Sequence, residues 1–101
     1  MNKDKTTFLE ALATIVCDID ENKNSERELV GTHVDRAFAL LNQMQLARLD
    51  TGMLADIFFS IQVWHAQVKY LPTMIGKAHE EIIRLLGNDA WQFYGLDDDE
   101  Y

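Results

Sequence analysis

Pro72 is the only proline in the chain, and on both sides of it apolar residues recur every three to four positions. That spacing puts side chains on one face of an α-helix, and a backbone with so little punctuation forms a few long helices rather than many short strands. Five glycines among 101 residues add few further breaks. The length suits one domain with its own core, and a hydrophobic content of 48% separates the chain from disordered sequences. The expected architecture is all-α: a single helical domain over residues 1–101, four-helix bundle-like, with a short fifth C-terminal helical segment and an acidic tail over 96–101.

Local signals place the elements. Thr7 with Glu10 has the spacing of a capping box, in which hydroxyl and carboxylate satisfy free N–H groups at a helix start. Phe8, Leu9, Leu12, Ile15, Val16 and Ile19 follow at helical spacing, and the helix is expected to fade in the polar run Asp20 to Asn24. Ser25 with Glu28 repeats the box for a second helix, with Thr32 and Asp35 as an alternative start because Gly31 weakens a helix interior. Its apolar stripe is Val34, Phe38, Leu41 and Met44, with Ala37 and Leu40 beside it. Leu49 to Gly52 reads as a tight connection, with Asp50 or Thr51 capping a third helix. Pro72 is expected to end that helix, and Thr73 to cap a fourth carrying Ile75, Ala78, Ile82, Leu85 and Leu86. Glu80 stands four residues before Arg84, the spacing of a favourable helical ion pair. Gly87 is placed to stop the fourth helix, and Asn88 to cap one turn holding Trp91, Phe93 and Tyr94 before Gly95.

The third helix is unusual. Leu54, Ile57, Phe58, Ile61, Trp64 and Val68 form one apolar face, while Phe59, Val63, Ala66 and Tyr70 form a second. A wet stripe remains near Asp56, Ser60 and Gln67. A helix apolar nearly all round is covered on more than one side, by its own chain or by another. Membrane insertion is excluded for the stretch Met53 to Leu71, because Asp56, Gln62, His65, Gln67 and Lys69 lie inside it.

Catalytic and metal-binding patterns fail on chemistry. Asp18, Asp20, Asn22, Asn24 and Glu26 alternate like the start of an EF-hand loop. The turn glycine is replaced by Lys23 and the closing glutamate by Leu29, so no calcium site is expected. His79-Glu80 begins a zinc-protease helix pattern, but Ile83 occupies the second histidine position. His33, His65 and His79 stand apart, as surface or core-edge histidines do. Cys17 has Asp18, Asp20 and Glu21 nearby, which disfavours a thiolate, and is expected to pack at the border of the first helix. A lone cysteine and no export signal point to a cytoplasmic protein. The hairpin from Leu46 to Ala55 is unsuited to a DNA groove, since Met53 to Phe58 presents apolar groups and a carboxylate where cations are needed. No enzyme, cofactor or metal is expected.

What remains is charge and a ring-rich C-terminal end, whose aromatics either fold back to cap the bundle while the acids solvate the end, or serve as an apolar anchor with a negative guide. Nine basic against 17 acidic residues give a formal net charge of −8, and Asp97, Asp98, Asp99 and Glu100 close the chain beside Trp91, Phe93 and Tyr94. Direct nucleic-acid binding is disfavoured and a basic partner favoured. In size, charge and helicity the chain resembles the small acidic helical inhibitors that phages use against host defence nucleases, the anti-restriction and anti-CRISPR proteins. Those traits carry no residue over from any family. The expected function is a non-catalytic binding or inhibitor protein that occupies a basic, nucleic-acid-handling partner protein. Its expected partner-binding residues are Phe59, Val63, Tyr70, Trp91, Phe93, Tyr94, Asp97, Asp98, Asp99 and Glu100. The alternative is a homodimeric structural or regulatory accessory protein associating through the third helix.

Overall fold

The computed structural model describes residues 3–23, 28–64 and 70–94. Among them every regular element is helical: α1 (Lys3–Asn22), α2 (Glu28–Leu46), α3 (Leu54–Trp64), α4 (Leu71–Leu86), a 3-10 turn (Gly87–Asp89) and α5 (Ala90–Tyr94). The expected all-α, bundle-like arrangement of four helices plus a short C-terminal one is what the chain adopts.

The four long helices pack as a ring. α1 lies against α2 and α4, and α3 lies against the same two helices from the other side. The principal extents are 40 × 37 × 17 Å. The short one matches two helix layers, since packed axes lie about 8–10 Å apart. Each helix contributes one stripe to a single core: Leu9, Leu12, Val16 and Ile19 from α1, Val30, Val34, Ala37, Leu41 and Met44 from α2, Leu54, Phe58 and Ile61 from α3, and Leu71, Ile75, Ala78 and Ile82 from α4. Phe38 and Leu40 pack at its margin, so Ala37 rather than Phe38 faces the centre of α2's stripe. No described buried side-chain nitrogen or oxygen lacks a hydrogen-bond partner.

Several boundaries differ from expectation. α1 starts at Lys3, one turn before Thr7, with Asp4 in a first turn whose free N–H groups favour a carboxylate. The Thr7–Glu10 pair is therefore inside the helix. α1 also continues through Asp20, Glu21 and Asn22. Lys23 donates to the Asp20 carbonyl at 3.0 Å and pairs with its carboxylate at 2.7 Å, closing the helix end. The Ser25 capping box lies outside the described residues. Gly31 is helical within α2, so Thr32 starts nothing. α4 begins at Leu71, with Pro72 in its first turn instead of Thr73 as cap. There the missing N–H of proline removes no hydrogen bond. Gly87 ends α4 as expected, with φ +61° and its N–H bonded to the Ile83 carbonyl.

The connection from α2 to α3 is tightly specified. Arg48 has φ +61°, Arg48 N–H bonds the Gln45 carbonyl, and Leu49 N–H bonds the Met44 carbonyl. This is the Schellman arrangement, with an arginine at the left-handed position that glycine most often fills. Asp50 Oδ1 then accepts from Gly52 N–H at 2.8 Å. Met53 N–H donates to Glu81 Oε2 of α4 at 2.8 Å, so a carboxylate from another helix caps α3. Arg84 braces the same carboxylate through Nε at 2.9 Å and Nη2 at 2.6 Å. The expected Glu80–Arg84 pair is thus replaced by Glu81–Arg84, because Glu81 can satisfy Arg84 and the α3 terminus together. Gly52 has φ +54°, and a Cβ there would overlap Glu81 Oε2.

Candidate interaction surface

In a ring of four, each helix keeps one side turned outward. On α3 that side carries Asp56, Phe59, Gln62 and Val63, all exposed. Phe59 is 59% and Val63 52% accessible. They are four residues apart, so they form one apolar stripe with Asp56 three residues before Phe59. Ser60, expected on the wet side, is only half-exposed. Tyr70, just before α4, is also exposed, whereas Ala66, Gln67 and Val68 lie outside the described residues.

The C-terminal rings divide. α5 folds back on α4, with Ala90 buried as its anchor. Tyr94 is half-buried, and its hydroxyl shares a 2.9 Å hydrogen bond with His79 Nδ1. Thr6 of α1 donates to Asp89 Oδ2 at 3.0 Å on the approach to α5. Trp91 and Phe93 remain exposed, Phe93 standing edge-on to Tyr94 with ring centroids 5.3 Å apart. Tyr94 therefore belongs to the body of the fold, and Trp91 and Phe93 to its surface. Asp97, Asp98, Asp99 and Glu100 lie outside the described residues.

Three exposed apolar groups were not singled out by the sequence: Leu29, Leu46 and Met53. Leu46 ends α2 and Met53 precedes α3. Both sit where helical periodicity breaks off and no longer assigns a face.

Several of the described ionisable side chains are engaged by neighbours within the fold. Partial desolvation against the helix surface, followed by the negative charges of Asp18, Asp20 and Glu21, pushes the thiol of the otherwise exposed Cys17 above its ordinary value. Cys17 is exposed on α1 rather than packed at its border. Burial lowers the His79 pKa while Asp20 opposes the shift. Burial also pushes the Tyr94 phenol up, with Cys17 adding to it. The hydrogen bond from Arg84 holds Glu81 below its ordinary value against the effect of burial, with the Met53 N–H helping. His33 is half-buried between Asn22 (3.4 Å) and Arg36 (2.8 Å), tying α1 to α2. Asp18, Asp20 and Asn22 are helical, so they do not form the first half of a calcium loop. No group of three or more His, Cys, Asp or Glu among the described residues is arranged to hold a metal. No helix among them is long and apolar enough to cross a membrane.

Comparison with known proteins gives no match: no family model, curated protein or solved structure is significantly similar to the chain.

Proposed function

We propose that the chain is a non-catalytic binding protein that works by occupying a basic surface of a partner protein, in the manner of an inhibitor of a nucleic-acid-handling enzyme. The observation that carries this reading is the uncovered Phe59–Val63 stripe on α3 beside Asp56. Fully burying a side chain of this kind contributes roughly 1.5–3 kcal/mol, and these two are about half-accessible, so covering both supplies roughly 1.5–3 kcal/mol together. Charge then selects the partner. A net −8, with exposed Asp35, Asp56, Glu21 and Glu80, attracts a cationic surface and repels nucleic acid. Carboxylates spaced over helices present to a basic cleft the sign of charge it meets in a phosphate backbone. Trp91 and Phe93 supply further apolar contact.

Capture of host proteins on the immobilised chain at low and high salt tests the reading. A basic nucleic-acid-handling protein is expected at low salt, depleted at high salt and lost with Phe59→Asp plus Val63→Asp. Capture unchanged by salt and by removal of the last five residues would end the electrostatic argument.

The same stripe favours a second reading, a homodimer joined through α3. Light scattering over a range of concentrations separates the two, since a mass fixed at the monomer value excludes self-association.

A further inference from the structure

The outward ridge of α2 divides two shallow grooves that share Ala39. The groove toward α1, about 490 Å³, has Ala11, Thr14, Ile15 and Leu40 in its walls, and its one charged group among the described residues is Arg36. That guanidinium is already engaged by His33 Nδ1 and the Asp18 carboxylate. The groove toward α3, about 450 Å³, is lined by Phe38, Asn42, Gln45 and Ala55, and its one charged group among the described residues is Asp35. Asp56 follows Ala55 on α3 and is exposed. Neither Asp35 nor Asp56 belongs to an ion pair among the described residues.

Surroundings separate the grooves further. Asp35 to Gln45 runs for about 15 Å at 1.5 Å per residue, room for roughly three turns of a second helix. Leu46 and Met53, at the turn between α2 and α3, are 79% and 60% accessible. Phe59 follows Ala55 by one helical turn on the same flank of α3. The α2–α3 groove thus joins apolar Phe38, Leu41 and Ala55 to polar Asn42 and Gln45, with Asp35 in its lining and exposed Asp56 beside it, while Arg48 and Arg84 flank the turn that carries Leu46 and Met53.

We propose that the α2–α3 groove is the docking site for a cationic amphipathic helix of a partner protein, its apolar face over Phe38, Ala39 and Ala55 and its lysines or arginines at Asp35 and Asp56. This rests on the reading of the chain as a protein that docks on a basic partner, and locates the contact. Charge argues against the other occupants. A second copy would bring a surface of net −8 against the same carboxylates, and the α1–α2 groove would meet the helix with Arg36.

The test is an amide-resolved NMR titration of the full chain at low salt. The probes are a three-turn amphipathic leucine–lysine peptide, its sequence-scrambled isomer, and a version with glutamate for lysine. The amphipathic peptide is expected to shift amides of Asp35 to Gln45 and Ala55 to Val63, and the other two to bind at least about ten-fold more weakly. Asp35→Asn with Asp56→Asn should weaken binding about five-fold, as removal of two partly solvated charge contacts does. Phe59→Ser should weaken it about ten-fold. All three positions are exposed or at the groove rim, and circular dichroism of each variant checks that the helices persist. Shifts confined to α5 or residues 95–101, with the asparagine variant binding normally, overturn the groove but leave a cationic partner standing. Equal binding of the scrambled peptide also overturns the groove. Absence of binding by any lysine peptide overturns both readings. Groove shifts that grow with protein concentration alone assign the site to a second copy and overturn the proposal.

Discussion

Replacing Glu81 with alanine should destabilise the fold, and replacing its neighbour Glu80 should not. Glu81 is 9% accessible, and its Oε2 accepts the Met53 N–H at 2.8 Å. A hydrogen bond to a charged group contributes about 1.5–3 kcal/mol. Met53 is 60% accessible, so water replaces part of the lost bond, and the lower end, about 1.5 kcal/mol, is expected. For a domain of this size that corresponds to a drop in Tm of roughly 6–12 °C. Glu80 is exposed and has no ion pair among the described residues, so its replacement should stay within about 0.5 kcal/mol of neutral. Gly52→Ala supplies the second half of a double-mutant cycle. Its Cβ would occupy the place of Glu81 Oε2, and its φ of +54° strains any residue with a side chain. In the native background both costs apply; with Glu81→Ala already present the carboxylate is gone and exposed Arg84, whose Nη2 the Cβ would also crowd, is free to swing into solvent, so the strain is the main cost left. The two substitutions should therefore be less than additive, by about 1 kcal/mol. Thermal and urea unfolding of the four proteins measure this. Strict additivity, or equal losses for Glu80→Ala and Glu81→Ala, would refute the carboxylate cap on α3.

Other outcomes follow from the same physics. Arg48→Gly should stabilise the protein by up to about 1 kcal/mol, because arginine pays the left-handed backbone cost there; urea midpoints show whether it does. Stability should fall as acid is added, in two stages. His79 has its pKa lowered from 6.5 by burial, so the unfolded chain takes up its proton first and stability declines below about pH 6.5. Glu81 is held below 4.5 chiefly by Arg84, so its contribution is complete above about pH 4.5 and is lost as pH falls through its lower folded value. His79→Gln should remove the first stage and Glu81→Gln the second in unfolding curves taken across that range. Phe59→Ser with Val63→Ser should cost only the part of each side chain that already packs, roughly 1.5–3 kcal/mol together or about 6–24 °C in Tm; a larger loss by calorimetry would mean the stripe is covered in the free protein.

The core was legible in the sequence because periodicity alone selects one side of a helix. Leu9, Leu12, Val16 and Ile19, and Ile75, Ala78 and Ile82, are buried where their spacing places them. Phe59 and Val63 were legible as a second apolar face, but not as an uncovered one, because coverage depends on which helices adjoin α3. Starts and caps were read less well. Thr7 and Thr73 have suitable chemistry, yet each helix extends beyond them, because Asp4 and Pro72 are equally compatible with a first turn. The cap on α3 comes from Glu81, 28 residues further along, and no local pattern announces it. Arg84 illustrates the same limit. Partners three and four residues away are both within reach, and only the position of the α3 terminus decides between them. The inward turn of Tyr94 depends likewise on His79 being across from it.

The ring arrangement divides α3 into a packed side and an open side. α3 grips its neighbours through the fully buried Leu54, Phe58 and Ile61, while Asp56 is exposed and Phe59 and Val63 each leave about half of the side chain toward solvent. Substitutions on the outer stripe therefore touch the packing only through the covered half of Phe59 and Val63, and leave the fully buried layer intact. A lineage pressed to follow a changing target could swap rings for aliphatics, or one charge for another, on an unchanged scaffold.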